Sequence, residues 1–141
     1  MDADKVINLL RRVRHDYGNH LQVISGYTEL NRPDAVKEYI LEIIREMEKE
    51  KRLLEFHNPE IGLFLFEQML AINDLGVIVI YKELEITSIE KLINSGEPLR
   101  TIKKLLEANH IAEDITIEIS IRELSDQMEI SIYSPILIDN P

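Results

Sequence analysis

The residues of this chain best suited to chemistry surround a histidine near the N-terminus. At about 100° per residue on a helix, His15 lies on a polar face. The residues within roughly 60° of it on that helix are Asn8, Arg11, Arg12, Asn19 and Gln22. The opposite side of the helix is apolar, which is typical of a helix packed against a neighbour. Because imidazole is a nucleophile near neutral pH, an exposed His15 is suited to accept a phosphoryl group.

The polar neighbours of His15 suggest how such a group would be handled. Asn19 lies one turn away on the same face and can hydrogen-bond the imidazole or a phosphoryl oxygen. Arg11, Arg12 and Arg14 supply local positive charge, which attracts an acidic partner and stabilises a transferring phosphoryl group. The same pattern also fits an ordinary surface histidine on a solvated, ion-paired face. The residues alone leave both interpretations open.

Three other residues around His15 have a less direct role. Asp16 lies about 100° round the helix, where it can orient the ring or act as a base, although its charge repels phosphate. Gly18 costs a helix interior roughly 1 kcal/mol relative to alanine, and its missing side chain leaves room for a partner to approach closely. Gln22 extends the polar face one more turn.

The remaining histidines do not extend this site. His20 falls on the apolar stripe with Val13 and Ile24, which predicts a hydrogen-bonded histidine in a core or interface. His15 and His20 face away from each other, so they do not suit a shared metal. The sequence contains no cysteine, which excludes disulfides and thiolate metal sites. We expect neither a bound metal nor a bound cofactor.

Two long helices carry these residues. Apolar periodicity predicts the first over residues 3–30, Asn31 to Asp34 interrupt it, and the second follows to about residue 56. The short connection predicts an antiparallel hairpin. Two helices cannot fully cover a shared apolar seam, so the sequence predicts that residues 3–56 pair with a second copy in a dimeric four-helix bundle. The alternative is that the rest of the chain covers the seam.

The second half of the chain alternates helical and extended patterns. Asn58 and Pro59 predict the capped start of a helix that runs from Glu60 to Asp74, with Gly76 as a left-handed stop after it. Val77 to Tyr81 predict a strand buried on both faces. Pro98 opens a further helix to about Ala108, and two alternating segments, 115–122 and 128–132, predict a β-hairpin. The expected fold is therefore α+β. We divide it into a hairpin domain, residues 1–57, and a small α/β sandwich, residues 58–141.

Composition excludes several classes of protein. The formal net charge is −10, from 16 basic and 26 acidic residues, which argues against nucleic-acid binding because that rests on phosphate neutralisation. No apolar run reaches the ~20 residues of a membrane span, and no signal peptide is recognisable. The five glycines are scattered, so no glycine-rich loop cradles nucleotide phosphates. We expect a cytoplasmic protein.

The segment Arg14 to Gly26, with the sequence RHDYGNHLQVISG, resembles the R-H-D-x-x-N-x-L-Q-x-I-x-G signature of the sporulation initiation phosphotransferase B family. It is also similar to the phosphoacceptor helix of citrate/dicarboxylate-type sensor histidine kinases. The resemblance is strongest over residues 10–56. The order of elements after residue 58 looks more faintly like a histidine-kinase ATPase domain of the GHKL type.

The resemblance implies specific roles. His15 would be the phosphoacceptor, Asp16 would assist transfer, and Asn19 would position groups at the site. The dimeric bundle would dock the receiver domains of response regulators, which would bring Mg²⁺ with them. His15 would then pass a phosphoryl group between regulator aspartates through a phosphohistidine, in sporulation or another pathway.

Departures from the kinase pattern bear on nucleotide binding. Asn109 stands at the end of its helix instead of in the interior, and no D-x-G-x-G follows Tyr133, where the chain continues through Ser134 to Pro141. We therefore expect a degenerate ATPase domain without ATP binding or autokinase activity. Two alternatives remain: a non-catalytic interaction protein that modulates a two-component kinase, and a fragment of a diverged sensor histidine kinase.

Overall fold

A computed structural model describes residues 2–109 and 115–134. By their internal contacts, the residues form two compact units, Met1–Glu48 and Lys49–Pro141. The end of the second helix falls in the second unit, whereas the sequence places the domain boundary after residue 57. That domain division stays a prediction. His110 and the tail after Ser134 lie outside the described residues.

The described elements confirm the α+β class. The two long helices, the capped third helix and the terminal hairpin begin and end within two residues of their predicted bounds. The elements are α1 (Ala3–Glu29), α2 (Pro33–Leu54), α3 (Pro59–Asn73), β1 (Val77–Glu85), α4 (Ile89–Ser95), α5 (Leu99–Asn109), β2 (Ile115–Glu123) and β3 (Met128–Tyr133).

The first unit contains α1 and most of α2. Asp2 caps α1 by accepting a hydrogen bond from the Asp4 amide, and Asn31 makes the turn with a positive φ of 55°, which asparagine tolerates better than most residues. The two helices run in opposite directions, since Tyr27 meets the ring of Tyr39 edge-on, while His20, earlier on α1, contacts Tyr39 and also Glu46, later on α2. The predicted antiparallel arrangement is therefore present.

The hairpin leaves much of its apolar surface uncovered. No residue of α1 is buried, although its inner face contacts α2. A second apolar stripe runs beside that face at helical spacing, and α2 carries a matching one. The exposed residues of the two stripes are Ile7, Leu10, Tyr17 and Leu21 on α1, and Ile40, Ile44 and Met47 on α2.

The second unit begins with tight helix packing. The side chain of Asn58 caps α3 by accepting from the amides of Glu60 and Ile61. A Cβ added to Gly62 would lie 2.3 Å from the carbonyl oxygen of Leu53, so glycine is required where α3 approaches the end of α2. Gly76 ends this region with a φ of 83°, the left-handed conformation that the sequence predicts.

The three strands form one mixed sheet in the order β1-β2-β3. Strands β1 and β2 are parallel, and β2 and β3 are antiparallel. Alternate residues of β2, from Ile115 to Ile121, are buried on the face that packs on the helices. The expectation that β1 is buried on both faces is wrong, because Ile78 on the opposite face is 42% exposed. The helices of the second unit's described part pack on the other face, which leaves the face of Ile78 as the open face of the sheet.

Strand β1 is longer than the apolar sequence pattern indicates. Instead of ending at Tyr81, β1 continues to Glu85, with an irregularity in its pairing to β2 between Tyr81 and Leu84. Helix α4 follows, with Ser88 as its N-cap residue. Within residues 2–109 and 115–134, no helix combines the length and apolar character needed to cross a bilayer.

Candidate functional site

His15 lies near the middle of α1, where regular helix on both sides holds its backbone. Its side chain is 72% exposed. The ring nitrogen Nδ1 is approached twice, by the Asn19 amide nitrogen at 3.4 Å and by the Asp16 carboxylate oxygen Oδ1 at 3.7 Å. No hydrogen bond within the described part of the chain engages Nε2. The ring is thus contacted at one nitrogen and open at the other.

Asp16 is itself held by a residue one turn earlier. Its oxygen Oδ2 accepts a hydrogen bond from Arg12 Nε at 3.4 Å, and the two charges form an ion pair at the i, i+4 spacing. The side chains of Arg12 and Asp16 are 34% and 44% exposed, both less than that of His15. The carboxylate therefore contacts an arginine through one oxygen and faces the imidazole with the other.

The remaining predicted site residues line the same helix without joining this cluster. Arg11, Arg14 and Gln22 are exposed. Gly18 is exposed as well, and a Cβ placed on it would meet nothing within 4 Å. Packing among the described residues therefore does not require a glycine here, and this stretch of helix surface is open to an approaching molecule.

The opposite side of α1 carries a second polar cluster. His20 Nδ1 lies 2.6 Å from the hydroxyl of Tyr39, and its Nε2 lies 3.7 Å from a carboxylate oxygen of Glu46. The predicted hydrogen-bonded histidine is confirmed. Burial first, and then the charges of Glu46 and Glu42, raise the pKa of Tyr39 above its ordinary value. This cluster joins α1 to α2 on the side away from His15.

Sequence reasoning missed Tyr39 as the partner of His20. The signal was available, because Ala35, Tyr39, Ile43 and Glu46 recur at the spacing of one helix face. That spacing does not predict a hydrogen bond, however, because a tyrosine at this position can pack through its ring alone. Only the pairing of the helices places its hydroxyl against an imidazole.

The second unit offers no comparable site in its described part. No group of three histidine, aspartate or glutamate side chains among residues 2–109 and 115–134 is placed to hold a metal ion. A cavity of about 80 Å³ lies on the open face of the sheet, beside Glu83, Ser120 and Arg122. Small-molecule sites usually enclose roughly 300–1,000 Å³, so this cavity is too small for a nucleotide.

Comparison with known proteins relates the hairpin to a signalling domain. Residues 1–56 match the family described as sensor kinase SpoOB-type, alpha-helical domain. Domains of this type are associated with phosphotransfer in two-component systems. The match covers less than half of the chain, and it includes the whole of α1 and α2. No curated protein matches the chain significantly.

Proposed function

We propose that this protein is a phosphorelay histidine phosphotransferase of the cytoplasm. His15 takes a phosphoryl group from the aspartyl phosphate of one response-regulator receiver domain and passes it to the aspartate of another. The observation that carries the proposal is the environment of His15, whose ring is exposed, contacted by Asp16 and Asn19 at Nδ1 and open at Nε2. The SpoOB-type match over the same helices supports it.

The geometry favours Nε2 as the accepting atom. Its lone pair attacks phosphorus, a phosphorus–nitrogen bond forms, and the bond from phosphorus to the regulator's carboxylate oxygen breaks, releasing the carboxylate. The proton stays on Nδ1, where the positive charge that develops on the ring faces Asp16 Oδ1, as a carboxylate supports a catalytic imidazolium in other enzymes. The amide of Asn19 can turn its oxygen or its NH₂ group toward the ring.

The rest of the polar face serves docking in this proposal. Arg11 and Arg14 attract the acidic rim of a receiver domain, and Gly18 and Gln22 allow it to approach the helix closely. The Mg²⁺ that phosphoryl transfer requires enters with the receiver, and this chain needs no cofactor of its own. Catalysis then consists mainly of positioning and charge stabilisation, as is usual for phosphoryl transfer.

A second copy of the chain completes the proposed docking platform. The exposed stripes on α1 and α2 lie on helices that already contact each other along a different face. Pairing two hairpins through these stripes forms a four-helix bundle and removes the stripes from water. The second unit would be a degenerate GHKL-type ATPase domain that serves as a scaffold. The described elements of this unit run in the order α3-β1-α4-α5-β2-β3, and the resemblance rests on this order.

Labelling by a phosphorylated receiver tests the proposal. Wild-type protein mixed with a panel of ³²P-labelled receivers should gain label that is labile to acid and stable to base, as expected for phosphohistidine. The variant His15→Ala should gain none, while His57→Ala, which removes another exposed histidine, should label like wild type. Absence of label from every receiver would favour the non-catalytic interaction protein. Self-labelling with ATP and Mg²⁺ would favour a diverged kinase.

A further inference from the structure

The His15 site contains an apparent electrostatic contradiction. Asp16 Oδ1 lies 3.7 Å from the imidazole, close to where a phosphoryl group with about two negative charges must arrive. A lone carboxylate at this position supports a ring cation and also repels the incoming group. A site that transfers phosphate quickly needs the first effect without the second.

Arg12 pairs with Asp16 and so reduces the repulsion of the phosphoryl group. Its Nε donates to Asp16 Oδ2 at 3.4 Å, so the carboxylate is paired through the oxygen that does not face His15. Charge pairing reduces the net negative potential at the site, and the contact restricts the rotation of the carboxylate. The free oxygen Oδ1 then remains directed at His15 Nδ1.

We propose that Arg12 is a positioning residue that acts on His15 through Asp16. It orients Asp16 so that Oδ1 retains the proton on Nδ1 and leaves the lone pair on Nε2, and it offsets the carboxylate's repulsion of the phosphoryl group. This inference rests on the proposed phosphotransfer at His15. It separates Arg12 from Arg11 and Arg14, because sequence reasoning treats all three as docking residues.

Arg11 provides the matched comparison. It neighbours Arg12 on the same helix and carries the same charge, but no hydrogen bond or ion pair within the described chain ties it to the His15 cluster. Removing its charge should weaken the encounter with an acidic receiver and make that encounter less sensitive to salt. Removing Arg12 should instead slow the transfer step after the receiver has bound.

Single-turnover transfer from a phosphorylated receiver separates these effects. At saturating receiver, Arg12→Gln should lower the transfer rate constant about tenfold or more, comparable to the loss of an orienting partner elsewhere, with little change in the half-saturating concentration. Arg12→Lys should recover part of the rate. Arg11→Gln should mainly raise the half-saturating concentration. In the background Asp16→Asn, adding Arg12→Gln should produce no further loss.

The tautomer of His15 provides a readout that does not require transfer. In ¹⁵N NMR spectra of the unphosphorylated full chain, Arg12→Gln should shift the imidazole proton population from Nδ1 toward Nε2, and Arg11→Gln should not. Independent, multiplying losses from Arg12→Gln and Asp16→Asn, or an unchanged tautomer ratio, would overturn the role of Arg12. Failure of wild-type protein to accept label overturns the proposed function instead, and the tautomer ratio distinguishes the two failures.

Discussion

Ile44 in the hairpin and Ile117 in the sheet are chemically identical residues at regular positions of their elements, yet one is 48% exposed and the other 1%. The same difference in the burial of apolar side chains distinguishes the two units. The second unit buries alternate residues of β1 and β2 beneath α3, whereas α1 buries none. Burying a large aliphatic side chain contributes roughly 1.5–3 kcal/mol. The second unit thus obtains this stabilisation within one chain, while the hairpin leaves an apolar stripe exposed, which is the surface of the proposed dimer.

The two units also differ in how they use their polar and charged side chains. The second unit uses its charged residues in surface ion pairs such as Lys82–Glu118 and Arg122–Glu85. The hairpin places a polar cluster on each side of α1, one around His15 and one around His20. A helix that is incompletely covered can present one face to a second copy and another to a transient protein partner.

The largest effect is expected from a charge in the hairpin stripe. Ile44→Glu would bury a carboxylate in the proposed dimer interface at a cost of several kcal/mol, which corresponds to a dissociation constant at least about a hundredfold weaker. Light scattering and sedimentation velocity measure the change in mass. Ile78→Glu, at a similarly exposed isoleucine on the open face of the sheet, should leave the dimer intact. A monomeric wild type at micromolar concentration would contradict the dimer.

The next effect concerns two glycines in helix interiors. Gly62→Ala would place a Cβ against the carbonyl oxygen of Leu53, and such overpacking costs about 1–3 kcal/mol. Gly26→Ala meets nothing within 4 Å, so it should stabilise the hairpin by about 0.5–1 kcal/mol, the helix preference for alanine over glycine. Denaturant unfolding of the two variants measures both changes. Equal effects would mean that the close approach of Gly62 does not constrain the second unit.

These glycines show how far the sequence can be interpreted. Helix periodicity and the caps predict α1 to α3 closely, because those signals are local. The need for glycine at position 62 is not local, since it arises from the carbonyl of Leu53 nine residues earlier. For the same reason the sequence predicts that His20 is hydrogen-bonded but does not identify Tyr39.

The His15 site shows the same limit. Its residue types and their common helix face follow from the sequence, because i, i+4 spacing fixes which residues are neighbours. The simultaneous contact of Asp16 with Arg12 through Oδ2 and with His15 through Oδ1 does not follow, since side-chain rotamers decide which oxygen faces which neighbour. The strand β1 was mispredicted for a related reason: its continuous apolar run is compatible with burial on either one face or two.

A third prediction contrasts two tyrosines. Tyr39→Phe removes the hydroxyl that lies 2.6 Å from His20 Nδ1, and loss of such a hydrogen bond destabilises by about 1 kcal/mol. The buried hydroxyl of Tyr81 has no hydrogen-bond partner in the described chain, and burial raises its pKa. Tyr81→Phe should therefore be neutral or slightly stabilising. Chemical denaturation measures both, and the reverse order would contradict the assigned contacts.

The smallest effect is a pH dependence in the second unit. The hydroxyl of Thr87, and then its main-chain N–H, donate hydrogen bonds to the carboxylate of Glu123 and hold its pKa below its ordinary value. Because the folded pKa is the lower one, the stabilisation is present above the unfolded value of about 4.3 and is lost as the pH falls through the folded value.

The unfolding free energies of wild type and Glu123→Gln should therefore converge as the pH is lowered from 6 toward about 3. Glu107→Gln, which removes an exposed carboxylate on α5, controls for the general loss of negative charge from this acidic chain. Thr87→Ala should reduce the convergence, since it removes the hydroxyl and leaves the main-chain donor in place. A Glu123→Gln difference that is constant with pH would mean that these hydrogen bonds do not favour the ionised carboxylate.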